Sequence, residues 1–134
     1  MMFSPDWMQW YDALQKPPWT PAPATIGLIW QVLYPIIVIT FGFVFIQILR
    51  KRLPWIVGLP FAINLIANLA FTPLQFGLQN LGLALLDIAI VWFTILWCMA
   101  WVWHRYRWLA WAQLPYLTWV TIATTLQTLI WLEN

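Results

Sequence analysis

The chain has 134 residues, 63% hydrophobic and 7% charged, with 13 Trp, a mean hydropathy of +0.77 and a net charge of +2. Soluble domains carry about 25% charged residues, so an ordinary water-soluble fold is excluded. The apolar content also excludes disorder, and the small charge excess excludes the phosphate-binding field of a nucleic-acid partner.

In chain order, residues 1–25 read as an interfacial segment and Pro-rich loop. Ser4-Pro5-Asp6 and Gln15-Lys16-Pro17-Pro18 are polar and turn-rich, and no basic start or apolar core marks a cleavable signal peptide. A short interfacial helix is predicted around Ser4–Gln15, then an extended loop to Pro23. Trp7, Trp10, Tyr11 and Trp19 suit the headgroup level.

Charge-free runs then mark the spans. Ile26–Leu49 lies within a stretch that has no charge between Lys16 and Arg50. At about 1.5 Å per residue it covers about 36 Å, more than the roughly 30 Å hydrocarbon core. Further spans are predicted at about 56–76, 81–103 and 109–131, the third carrying Asp87. The runs do not alternate as barrel strands do. The expected fold is therefore all-α, a single transmembrane domain over 1–134 with four helices. Pro35 lies inside the first span and predicts a kink; Pro60, Pro73 and Pro115 lie near helix ends, where proline is tolerated.

Every Lys and Arg except Lys16 lies in Arg50-Lys51-Arg52 or at Arg105 and Arg107. With an even number of spans, the positive-inside rule places both termini and the Pro-rich loop outside the cytoplasm.

The spans carry polar stripes at helical spacing: Asn64, Asn68 and Gln75 on the second; Asp87, Thr94, Cys98 and Trp101 on the third; Thr118, Thr121, Thr125 and Thr128 on the fourth, near Tyr116, Trp119 and Gln127. Trp30, Tyr34 and Phe41 come from the first. Lipid cannot satisfy such groups, so the stripes are expected to face the interior, as helix–helix hydrogen bonding or as the lining of an amphiphilic cavity. Asp87 reads either as a structural hydrogen-bonding group or as a ligand or proton site. His104 reads as an interfacial residue complementing a helix dipole, with haem ligation the alternative, and Cys98 as a small apolar residue that has no disulfide partner. No phosphate loop, metal-spaced Cys/His cluster or Ser–His–acid set is present, and one intramembrane acid does not make an ion relay.

Several segments together resemble the translocator protein family, also called TspO/MBR or tryptophan-rich sensory proteins. They are Trp10-Tyr11-Asp12-Ala13-Leu14-Gln15-Lys16-Pro17-Pro18-Trp19-Thr20-Pro21, similar to WYxxLxKPxWTPP; Trp30-Gln31-Val32-Leu33-Tyr34, similar to WxxLY; and Asn68 with Phe71-Thr72-Pro73 and Phe76-Gly77, similar to NxxWTPxFFG. Leu83-Ala84-Leu85-Leu86-Asp87, Pro115-Tyr116-Leu117-Thr118-Trp119 and Ala123-Thr124-Thr125-Leu126-Gln127 continue the match. Only Met1–Gln9 precede Trp10, so the four spans would correspond to spans two to five of a five-helix fold whose Gly-rich first helix has no counterpart here. Phe71 stands where Trp is common, Gln75 in place of the first Phe of the FF pair, and Gln127 in place of Asn. The tail Leu126–Asn134 has no Tyr followed by Lys or Arg, so sterol binding through that motif is not expected.

The resemblance implies an intrabundle pocket for flat amphiphiles, with tetrapyrroles such as porphyrin or haem as ligands and no cofactor required. The protein would be a sensor or carrier. A regulatory module docking a partner through the face left by the absent helix is the alternative, and light-dependent porphyrin degradation would be the activity if it were an enzyme. The expected lining is Trp30, Asn68 and Trp119, then Tyr34, Asp87 and Tyr116. Trp19 would lie in a loop over the mouth, where Lys16 would meet a propionate. The expected location is a bacterial inner membrane, and the expected partners are membrane lipids, the tetrapyrrole and a second copy in a homodimer.

Overall fold

The computed structural model describes residues 10–134, so Trp7 and most of the expected Ser4–Gln15 helix lie outside the described residues; 10–13 are helical. Five α-helices follow: α1 (Pro23–Leu49), α2 (Gly58–Thr72), α3 (Leu81–Val102), α4 (Arg107–Ala112) and α5 (Leu114–Glu133). A 3-10 turn, Trp55–Val57, leads into α2, and a π-helical turn, Pro73–Gly77, ends it. The fold is an all-α polytopic membrane bundle. Among the described residues three helical units are long and apolar enough to cross a bilayer: Pro23–Leu49, Trp55–Gly77 and Leu81–Val102. The 20 residues of α5 reach about 30 Å, but their Thr residues and Gln127 make it less apolar.

Two of these boundaries have causes that the charge-free runs do not show. Residues 109–131 were expected as one helix, but the chain breaks at Gln113. Pro115 has no N–H, and its ring blocks the carbonyl four residues back, so the helix entering from α4 stops and α5 starts with the proline in its first turn. The buried Gln113 side chain donates to the Leu109 carbonyl at 3.3 Å and secures the break. Pro73 has a similar effect at the end of α2. The turn after it widens, and the Leu78 amide bonds to the Pro73 carbonyl at 2.9 Å. In contrast, α1 continues through Pro35 to Leu49.

The core is a continuous cluster that includes Leu33, Phe41, Phe61, Val91, Ile95, Tyr116 and Val120. α3 is central, packing against both α2 and α5, whereas α1 has few close backbone approaches to the rest. Gly58 brings the start of α2 against the end of α1. A Cβ there would lie 2.8 Å from Ile48 Cδ1 and 3.5 Å from Phe45 Cε1. Farther along the pair, larger groups bridge the gap, first the Phe41 and Phe61 rings (4.8 Å, edge to face), then Tyr34 donating to Asn68.

The polar stripes do not all turn inward. Asn64, Asn68 and Gln75 are buried, as are Asp87, Thr94 and Cys98, while Trp101 is exposed. The hydroxyl row on α5 is a correction: Thr118, Thr121 and Thr125 are exposed and Thr128 is half-buried. Thr121, Thr125 and Thr128 donate to the carbonyls of Leu117, Thr121 and Thr124. A threonine that bonds back along its own helix has no need of the interior.

Candidate functional site

The half of the bundle that holds the start of α1 and the end of α5 encloses a cavity of about 640 Å³. It lies between the first turns of α1 and the other three long helices, where α1 stands away from the rest. Trp30 and Tyr34 form its α1 side, Asn68 and Phe71 its α2 side, Ile88 and Val91 its α3 side, and Trp119 and Gln127 its α5 side. The π turn adds Gln75 and Phe76, because the widened backbone directs Gln75 inward, where it is 4% exposed. The lead-in segment closes the end of the cavity. Phe76 packs edge-on against Trp10 (6.3 Å) and Tyr11 (5.8 Å), and the Asn134 side chain pairs with the Gln15 backbone at 3.0 and 3.1 Å.

One hydrogen-bonded chain runs from the cavity wall into the core. The Tyr34 hydroxyl donates to Asn68 Oδ1 (3.1 Å), and Asn68 Nδ2 donates to the Tyr116 hydroxyl (2.7 Å). Tyr116 donates to Asn64 Oδ1 (2.9 Å), and Asn64 Nδ2 donates to Thr94 Oγ1 (2.9 Å) and the Val91 carbonyl (3.1 Å). The chain links all four long helices and orients the cavity-facing members, Tyr34 and Asn68. Trp30 stacks on Tyr34 at 5.2 Å and meets Tyr116 edge-on at 6.3 Å, so its indole plane is also held.

Two buried polar atoms of lining residues have no hydrogen-bond partner among the described residues, the donor Trp119 Nε1 and the acceptor Gln75 Oε1. The Gln127 amide donates to the Leu81 carbonyl at 3.1 Å. The cavity thus combines broad aromatic faces with a few fixed polar points, the usual chemistry of a small-molecule site. Among the described residues no three His, Cys, Asp or Glu side chains come together as a metal-holding group.

Of the residues expected at the site, Trp30, Tyr34, Asn68 and Trp119 border the cavity and the others do not. Tyr116 is fully buried behind Trp30 and Asn68, and its hydroxyl accepts from Asn68 Nδ2. Asp87 is 7% exposed, and its Oδ2 lacks a partner among the described residues. Ile88 and Val91 carry the cavity face of α3, and Asp87, one turn before Val91, is not part of the wall. Trp19 is 49% exposed and off the wall. The Lys16 ammonium is engaged within the lead-in segment. It donates to the carbonyls of Tyr11 (2.7 Å) and Leu14 (3.2 Å) and sits 4.7 Å from the Tyr11 ring centroid.

Among the wall residues missed from sequence is Tyr11, which is 5% exposed and part of the wall rather than an interfacial side chain. Burial, with the Asp12 carboxylate second, raises its phenol above the ordinary range, so it remains a neutral hydroxyl around pH 7. Its place in the Trp10–Pro21 segment, together with Gln75 and Phe76 after Pro73, was the available signal.

The chain matches the TspO/MBR family over residues 1–132. A tryptophan-rich protein TspO of Bacillus cereus is 36% identical to it over 93% of this chain and 80% of its own length. Protein CrtK of Rhodobacter capsulatus is 31% identical over 99% and 82%, and a translocator protein of Sus scrofa is 32% identical over 95% and 76%. With a match along almost its whole length and an all-helical membrane architecture, the chain belongs to the TspO/MBR family.

Proposed function

We propose that the cavity binds flat amphiphilic ligands of the tetrapyrrole class, and that the protein works as a sensor or carrier for them in the bacterial inner membrane. The observation that carries this reading is the aromatic cavity of about 640 Å³, two of whose lining residues, Trp119 and Gln75, hold a buried polar atom that has no partner among the described residues. A planar ring system stacks on Trp30, Trp119 and Phe71, while a carbonyl or carboxylate at its edge accepts from Trp119 Nε1. The printed names of relatives, translocator protein and tryptophan-rich sensory protein, are in keeping with carriage and sensing. The lysine and arginine distribution orients the basic loops toward the cytoplasm, so the cavity lies in the outer half of the bilayer.

The test is a dark titration of the purified protein with protoporphyrin, followed by illumination. A saturable, red-shifted Soret band is expected in the dark; its absence at micromolar protein would overturn the reading. New pigment products that form only in light and only with intact protein would add light-dependent porphyrin chemistry to the binding.

A further inference from the structure

The end of the bundle away from the cavity holds a second recess, a shallow cup of about 480 Å³ lined by Ile48, Lys51, Arg52, Leu53, Trp55 and Arg105 together with Pro54. Its three cations come from two loops. Lys51 and Arg52 follow α1, and Arg105 follows α3, so only the fold brings them together.

The backbone holds the first two in place. At the end of α1 the Lys51 amide bonds to the Ile48 carbonyl (3.0 Å), and the Arg52 amide to the Gln47 carbonyl (2.9 Å). Such a fold-back turns on one residue in the left-handed region, commonly glycine. Here that residue is Lys51, with φ 58°. Glycine would relieve the strain and remove the charge.

Among the described residues nothing acidic lies beside the cup. The sequence has no Asp or Glu between Asp12 and Asp87, or between Asp87 and Glu133. Asp87 is about 22 Å along α3 from the Val102 end. Glu133 ends α5 beside Asn134, which pairs with Gln15 at the cavity end, and Asp12 lies in the same lead-in segment. Three cations around one recess, with no carboxylate beside them among the described residues, favour an anion between them. Trp55, 74% exposed, and Ile48 give the cup an apolar side at the level where headgroup meets chain.

We infer that this cup binds a phosphate group, as found on an anionic lipid headgroup or on a soluble phosphate ester. Arg52 and Arg105 offer paired N–H donors to phosphate oxygens, and Lys51 supplies a third charge. The site is separate from the tetrapyrrole cavity, so its occupancy is measured without reference to porphyrin.

Native mass spectrometry of the full chain in mild detergent tests it, with phosphatidylglycerol, phosphatidylcholine and glycerol 3-phosphate as probes. Phosphatidylglycerol is expected to be retained in preference to phosphatidylcholine at one molecule per chain. An Arg52→Gln/Arg105→Gln variant should weaken it about 25-fold, at roughly 5-fold per cation, while Arg105→Lys keeps most of the binding. Arg107→Gln is the control. Its guanidinium lies 5.2 Å from the Trp103 ring, outside the cup, and its loss should change binding less than twofold. Lys51→Gly should raise the melting temperature and weaken phosphatidylglycerol binding, which a purely structural lysine would not do.

The probes also separate the two sources. Retention of the lipid without displacement by millimolar glycerol 3-phosphate assigns a lipid headgroup; displacement of lipid by that ester assigns a soluble phosphate. Equal retention of both lipids would show that the anionic headgroup is not selected, and equal weakening by Arg107→Gln and the double variant in folded protein would show diffuse charge attraction; either result overturns the proposal.

Discussion

Asn64 has no exposed surface and uses both ends of its amide, accepting from Tyr116 and donating to Thr94 Oγ1 and the Val91 carbonyl. An asparagine cannot satisfy both ends of its amide on its own helix, so the α2 stripe finds its partners in the interior, whereas the α5 hydroxyls, bonded back to their own helix, stay satisfied on the outside. Tyr116→Phe leaves Asn64 Oδ1 and Asn68 Nδ2 without that partner, and Asn64→Ala removes the same link from the other side. Each should cost about 1–2 kcal/mol of unfolding free energy. The double variant should cost less than the sum, read as a non-additive shift in denaturation midpoints; strict additivity would show that the two do not act as one unit. In the cavity, Trp119→Phe keeps an aromatic ring and removes the unpartnered N–H. It should weaken porphyrin binding by about 1 kcal/mol with little change in stability, while Trp30→Ala, losing a stacking face, should cost about 1–2 kcal/mol of binding. Soret titrations of both folded variants check this, and unchanged dissociation constants would remove these residues from the site.

The turn that ends α2 shapes the wall more than its length suggests. Its five residues, Pro73–Gly77, take π geometry, turn Gln75 inward and seat Phe76 against Trp10 and Tyr11. Pro73→Ala restores an N–H and removes the clash with the preceding turn, so the helix can tighten to ordinary α geometry. The expected result is porphyrin affinity reduced about 5-fold or more, roughly 1 kcal/mol, with stability unchanged or raised. A variant that binds as the parent does would show that the wall forms without the widened turn. The other element of consequence is α1, which is close to α2 at Gly58 and stands away from the bundle where the cavity lies. Its amino acids foretold a long apolar helix from its charge-free run. They did not foretell this splay, because the spacing between two helices depends on the side chains of both.

Across the whole molecule the charges are divided. Arg50, Lys51, Arg52, Arg105 and Arg107 lie at one end, and Asp12, Lys16 and Glu133 at the other. The basic end should therefore be cytoplasmic. Single cysteines near Pro23 and at Arg105, in a Cys98→Ser background, test it with a membrane-impermeant thiol reagent on intact cells. Labelling is expected near Pro23 alone, and labelling at the Arg105 position alone would invert the topology. This division, the positions of the long helices and the family motifs were all legible in the linear chain, because charge-free length and residue order need no partner to be read. Periodicity likewise showed which polar residues share a face, since helical spacing is a local property. It could not give the rotation of each helix about its axis, which follows from packing against neighbours. Hence only the tertiary structure decided that the α5 hydroxyls point outward, that Asp87 is not part of the cavity wall, and that Tyr11 joins it. It also brought Arg105 to Lys51 and Arg52, a meeting of two loops that no local pattern encodes.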